Sequence, residues 1–97
     1  MSVHFTPEAA AELEQVLDYI AGHSISGAGK VRRRIQDVLR YVSSFPASGY
    51  TTNVPNLRRV AVTPYPYVIY YISGKTEITV IGVRHAARDP DTMPDAP

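Results

Sequence analysis

A chain of 97 residues has room for one hydrophobic core and not for two, so a single domain is expected. Apolar residues at 44% and charged residues at 20% exclude a disordered chain, and the absence of cysteine excludes disulfides, thiolate metal sites and a cysteine nucleophile. The net charge of +1 argues for no particular partner, but its distribution is lopsided: five of the ten basic residues lie between Lys30 and Arg40, while the first twenty residues hold acids and no Lys or Arg.

Val3-His4-Phe5 alternates apolar and polar residues, as a short strand does. A helix follows at once: Thr6 can cap its free amides, Pro7 has the fixed φ of a first helical position, and Glu8 complements the helix dipole. Leu13, Val16, Leu17 and Ile20 recur at helical spacing and draw one apolar stripe, with Glu12, Glu14 and Asp18 assigned to the outer face. Gly22 reads as a stop, and the Ser- and Gly-rich segment His23 to Gly29 as the connection. Val31, Ile35, Val38, Leu39, Val42 and Phe45 mark a second, longer helix that Pro46 ends. The two form an antiparallel hairpin with their stripes facing a common layer.

Beyond a polar, flexible stretch from Ala47 to Asn56, β-branched and aromatic residues predict three consecutive strands, Leu57 to Thr63, Tyr67 to Ser73 and Glu77 to Arg84. The links Pro64-Tyr65-Pro66 and Ser73-Gly74-Lys75 are short enough for an antiparallel meander. The expected fold class is α+β, with the N-terminal strand, the helical hairpin and the meander forming one sheet that carries both helices on one face. The domain is expected over residues 1–90, with a proline-rich, loose tail over 91–97. No apolar run approaches the roughly 20 residues needed to cross a bilayer. The start of the chain shows no charged leader followed by an apolar stretch, so a cytoplasmic protein is expected.

Taken in order, "VHFTPEAAAELEQVLDYIA", "FPASGY", "LRRVAV", "YPYVIYYI" and "VIGVRHAARDP" resemble the RelE/ParE toxins of type II toxin–antitoxin systems from His4 to Pro90. No one piece is specific, but their order and spacing together are. The resemblance implies the topology above, with the first strand beside the last, and neutralisation by an antitoxin encoded next to the toxin. It also implies one of two targets, since one branch cleaves mRNA on the ribosome and another poisons DNA gyrase.

Cleavage through a 2′-hydroxyl needs a proton acceptor, cations at the phosphate and a group that protonates the leaving oxygen. In the ribosome-dependent members an Arg typically precedes the aliphatic pair and Tyr of the strand occupied here by Val68-Ile69-Tyr70. Tyr67 stands in that place, and a phenol cannot supply a permanent positive charge. The stretch "YPYVIYY" looks like the gyrase-directed branch, which is the preferred reading. The alternatives are a ribosome-dependent endoribonuclease with Arg84 and His85 at the reacting phosphate, and a non-toxic domain that keeps the fold.

The candidate target-binding residues are Arg58, Arg59, Tyr67, Arg84, His85 and Arg88. Arg58 and Arg59 are adjacent on a strand and point to opposite faces, so only one can share a site with Arg84. The resemblance also implies a disordered antitoxin segment that wraps the helical hairpin and the nearby sheet, with Leu13, Leu17, Ile35 and Val38 as its expected contacts. Lys30, Arg33, Arg34 and Arg40 form a basic face of the second helix, interrupted by Asp37, that can track phosphates or simply be solvated. His4, His23 and His85 lack metal-ligand spacing and no cofactor motif occurs, so neither metal nor cofactor is expected.

Overall fold

The computed structural model describes residues 1–87. Arg88, the expected domain boundary at residue 90 and the expected tail over 91–97 lie outside the described residues. In chain order the elements are β1 (Ser2–Phe5), α1 (Pro7–Ala21), α2 (Ile25–Ser44), a single 3-10 turn (Pro46–Ser48), β2 (Tyr50–Thr51), β3 (Leu57–Ala61), β4 (Tyr67–Ser73) and β5 (Glu77–His85). They make an α+β domain with one five-stranded sheet in the order β1-β5-β4-β3-β2. β1 runs parallel to β5, from Ser2 opposite Glu77 to Phe5 opposite Val80, and the other pairings are antiparallel.

The helix starts follow from local chemistry. Thr6 Oγ1 accepts from the Ala9 amide at 3.0 Å and Pro7 opens α1. Thr6→Ala is expected to destabilise the domain by about 1 kcal/mol, measured as a shift in urea midpoint; no shift would mean that solvent replaces the cap. Ser24 Oγ caps the Gly27 amide at 2.9 Å, so α2 begins at Ile25. This corrects the connection expected over His23 to Gly29, most of which is the first turn and a half of α2. The cap outweighs the weak helix propensity of Gly27 and Gly29.

The stretch from Ala47 to Asn56 is likewise more ordered than its composition implies. The 3-10 turn leads into β2, where Tyr50 pairs with Arg59 and Thr51 with Arg58, giving a fifth strand instead of the expected four. Asn56 takes a left-handed φ of 66°, a conformation this side chain tolerates, and turns the chain into β3.

Both helices pack on one face of the sheet. Leu17 of α1 and Val31, Ile35, Val38, Leu39 and Val42 of α2 share a cluster with Ile69, Tyr71, Ile78, Val80 and Val83 of the sheet. The opposite face buries a smaller group, Leu57, Val68 and Tyr70, with Ile81 against it. Alternation along β4 therefore sends Tyr67 and Tyr71 to the helices and Tyr70 away from them, and all three rings are buried.

One irregularity decides what the end of β5 displays. Tyr71 pairs with Val80 but Tyr70 pairs with Gly82, so Ile81 is an extra residue in β5. Unbroken alternation from Ile78 and Val80 would turn Arg84 toward the helices. The bulge reverses this and sends Val83 and His85 to the helix side.

Candidate functional site

β1 ends at Phe5, and the Thr6 amide makes its last bond, to the Val80 carbonyl at 3.0 Å. Beyond that point no strand among the described residues lies beside the outer side of β5, and a side chain takes the place of one. Glu12 of α1 reaches the sheet edge, where Oε1 accepts from the Val83 amide at 2.9 Å and Oε2 from Arg84 Nε at 2.8 Å. The carboxylate passes over Gly82, where a Cβ would come within 3.5 Å of Glu12 Oε1 and 3.8 Å of Arg84 Nε. Both partners are partly buried, at 28% and 22% side-chain exposure. Glu12 is thus not on the outer face of α1, where the sequence reading put it.

This clamp forms one wall of a pocket of about 430 Å³ lined by Glu12, Gln15, Val16 and Tyr19 of α1, Tyr67 of β4, and Val83, Arg84 and His85 of β5. The His85 ring stands edge-on to Tyr67, with centroids 5.4 Å apart and planes at 84°. Its Nδ1 accepts from the Ala87 amide at 3.3 Å, so the neutral ring carries its proton on Nε2. Tyr19, 62% exposed, is one of the lining residues and packs obliquely on His23 with ring centroids 5.0 Å apart. The arrangement offers aromatic walls, one imidazole and a guanidinium already facing a carboxylate.

Three of the expected site residues, Tyr67, Arg84 and His85, therefore meet at one end of the sheet. The other two described ones do not join them. Arg58 lies on the helix side of β3 and donates to the Gly49 carbonyl at 2.8 Å, tying the turn before β2 to the sheet. Arg59 is exposed on the other face, opposite Tyr70. Arg88 lies outside the described residues. Among those residues no group of three or more His, Asp or Glu side chains could hold a metal ion.

The expected antitoxin contacts are differently placed. Leu17, Ile35 and Val38 have 6% exposure or less and belong to the core, while Leu13 is partly buried against it. The stripes pack on the sheet against Ile69 and Tyr71 of β4 and Val80 and Val83 of β5. The apolar side chains that do reach the surface include Tyr41 and Phe45 on the far end of α2, 58% and 57% exposed with rings 5.0 Å apart.

Glu12, Gln15 and Tyr19 are the site residues that the sequence reading missed. A signal was present: Glu12, Val16 and Tyr19 follow one another at i, i+4 and i+7, a single line along the flank of the apolar stripe.

Comparison with known proteins agrees with this architecture. Residues 3–90 match the family described as the ParE toxin of the type II toxin–antitoxin system parDE. A curated relative, toxin RelE2 of Caulobacter vibrioides, is 31% identical over 86 residues, covering 89% of this chain and 96% of its own. In structure the chain is similar to one from the chromosomal ParDE toxin–antitoxin system of P. aeruginosa, with a TM-score of 0.63 and 22% identity over 88% of this chain and 95% of that one. No helix among the described residues is long and apolar enough to cross a membrane.

Proposed function

The chain belongs to the ParE toxin family of type II toxin–antitoxin systems, and from that membership we propose that this toxin acts by inhibiting DNA gyrase, without cleaving RNA. The observation that carries the reading is the environment of Tyr67. Where a ribonuclease of this superfamily is expected to present a guanidinium, this chain has a phenol that is 8% exposed and packed edge-on against His85. The remaining cations do not converge on a phosphate: Arg58 is bonded to a backbone carbonyl on one face, Arg59 lies on the other, and the Arg84 charge faces Glu12. A pocket with aromatic walls suits an anchor side chain from a protein target better than it suits a scissile phosphodiester.

The partner is an antitoxin. We place its wrapping segment over surface rings such as Tyr41 and Phe45, in preference to the core residues Leu17, Ile35 and Val38. The ribonuclease reading draws on the similarity to the relative named toxin RelE2, and would use Arg84 and His85 at the reacting phosphate.

The test compares two reactions. Purified gyrase is expected to lose supercoiling activity when the chain is added, while mRNA in a translating extract stays intact. Codon-linked cuts that disappear in His85→Ala would replace the gyrase reading with the ribonuclease one.

A further inference from the structure

We propose that the flank of α2 carrying Lys30, Arg33 and Arg34 is a second binding surface, separate from the pocket at the sheet end, which takes the phosphodiester backbone of a nucleic acid. At 100° per residue these three side chains share one side of α2, whereas Arg32 lies on the opposite flank. The turn between β3 and β4 closes the surface from below. Arg34 Nε donates to the Thr63 carbonyl at 2.6 Å, and Pro64 and Tyr65 stand beside it. The result is a hollow of about 220 Å³ lined by Lys30, Arg33, Arg34, Asp37, Pro64 and Tyr65.

Asp37, which interrupts the basic face in the sequence, lines the hollow but does not neutralise it, since one carboxylate faces the three cations Lys30, Arg33 and Arg34. Its Oδ1 also accepts from Arg40 Nη1 at 3.2 Å, which adds a further cation beside it. The contacts between acidic and basic side chains among the described residues include His4–Glu77, Arg40–Asp37 and Arg84–Glu12, and none of these involves Lys30 or Arg33. Lys30 to Arg34 spans about 6 Å along the helix axis, short enough for the three cations to reach one or two neighbouring phosphates. Guanidinium forks fit phosphate oxygens, and a tyrosine ring at the rim can stack on a base. An acidic peptide fits less well. Peptide interfaces rely on apolar side chains seated in dry pockets, and this hollow offers only Pro64 and Tyr65 for such an anchor.

The experiment is a fluorescence anisotropy titration of a labelled short duplex DNA with the full chain over a series of salt concentrations. Binding with a dissociation constant on the order of micromolar is expected at low salt, weakening steadily as salt rises. Lys30→Gln with Arg33→Gln should reduce affinity about tenfold and lower the salt slope by about two, while Arg32→Gln changes affinity less than about threefold. All three positions are exposed, so the variants keep the fold, which a thermal melt verifies. An equal loss from Arg32→Gln would replace the site with diffuse charge. Capture of polyglutamate without capture of DNA would assign the surface to an acidic polypeptide. Neither readout involves gyrase, so the result is independent of the target assigned above.

Discussion

Removing a single oxygen from Tyr71 is expected to destabilise the domain by about 2–4 kcal/mol. The Tyr71 ring is fully buried, and its hydroxyl joins β4 to the segment between α2 and β2. It donates to the Pro46 carbonyl at 2.8 Å and accepts from the Gly49 amide at 3.0 Å. Tyr71→Phe leaves both backbone groups without their partner, and Gly49 is itself buried, so water has little access to replace the lost bonds. The measurement is urea unfolding, with the midpoint falling at unchanged slope. A Phe variant within about 0.5 kcal/mol of the parent would show that the turn relaxes to satisfy itself. Gly49→Ala should be at least as damaging for the converse reason. An added Cβ would lie 2.5 Å from Tyr71 Oη and 3.0 Å from the Arg59 carbonyl, and the latter is backbone that cannot swing aside.

The second large effect is expected at Glu12. Glu12→Ala leaves the Val83 amide without its Glu12 acceptor and removes the contact between Glu12 and Arg84. Breaking a fully buried pair costs about 3–5 kcal/mol; partial solvent access on both sides lowers the expectation here to about 2 kcal/mol. Glu12→Gln keeps an acceptor for Val83 but loses the ion pair, so it should recover part of the stability. A double-mutant cycle with Arg84→Met isolates the charge term, since the two residues are in direct contact. A purely local loss would leave the ring resonances of His85 unmoved. If the clamp holds the end of β5 in place, those resonances shift in Glu12→Ala and largely return in Glu12→Gln.

The two helices were legible because each buries one face and so writes its period into the sequence, Leu13, Val16, Leu17 and Ile20 in α1 and Val31 to Val42 in α2, whereas the three long strands were legible from their β-branched and aromatic residues. The start of α2 was not, because Gly27 and Gly29 weaken helix propensity while the deciding contact is one serine hydroxyl. β2 was invisible because a strand of two exposed residues has no period, and it is held in place through Tyr71 and Arg58 from other strands. The bulge at Ile81 escaped notice because β5 is covered on both faces, so Val80-Ile81-Gly82-Val83 reads as a continuous apolar run without a parity to break. The site inherited that gap. Without the bulge, the sequence placed Arg84 and His85 at the end of a strand but could not say which of them faces α1. The pairing of Glu12 with the open side of β5 joins residues distant in sequence, and helical spacing alone shows only that Glu12 can reach that flank.

The parallel pairing of β1 with β5 has a consequence for synthesis. The strand made first can bond only to the last of the described strands to be made, and β5 is also the strand that joins β1 to the remainder of the sheet. Thr6 and Ser24 can start their helices early, but the layer those helices pack on stays incomplete until Val80 and Val83 have been added. A nascent chain that has not yet reached β5 therefore carries neither the pocket nor a closed core, and long-range pairing of this kind makes completion of the fold a late event. Formation of the pocket and closure of the core thus arise together, at the moment the last of the described strands docks.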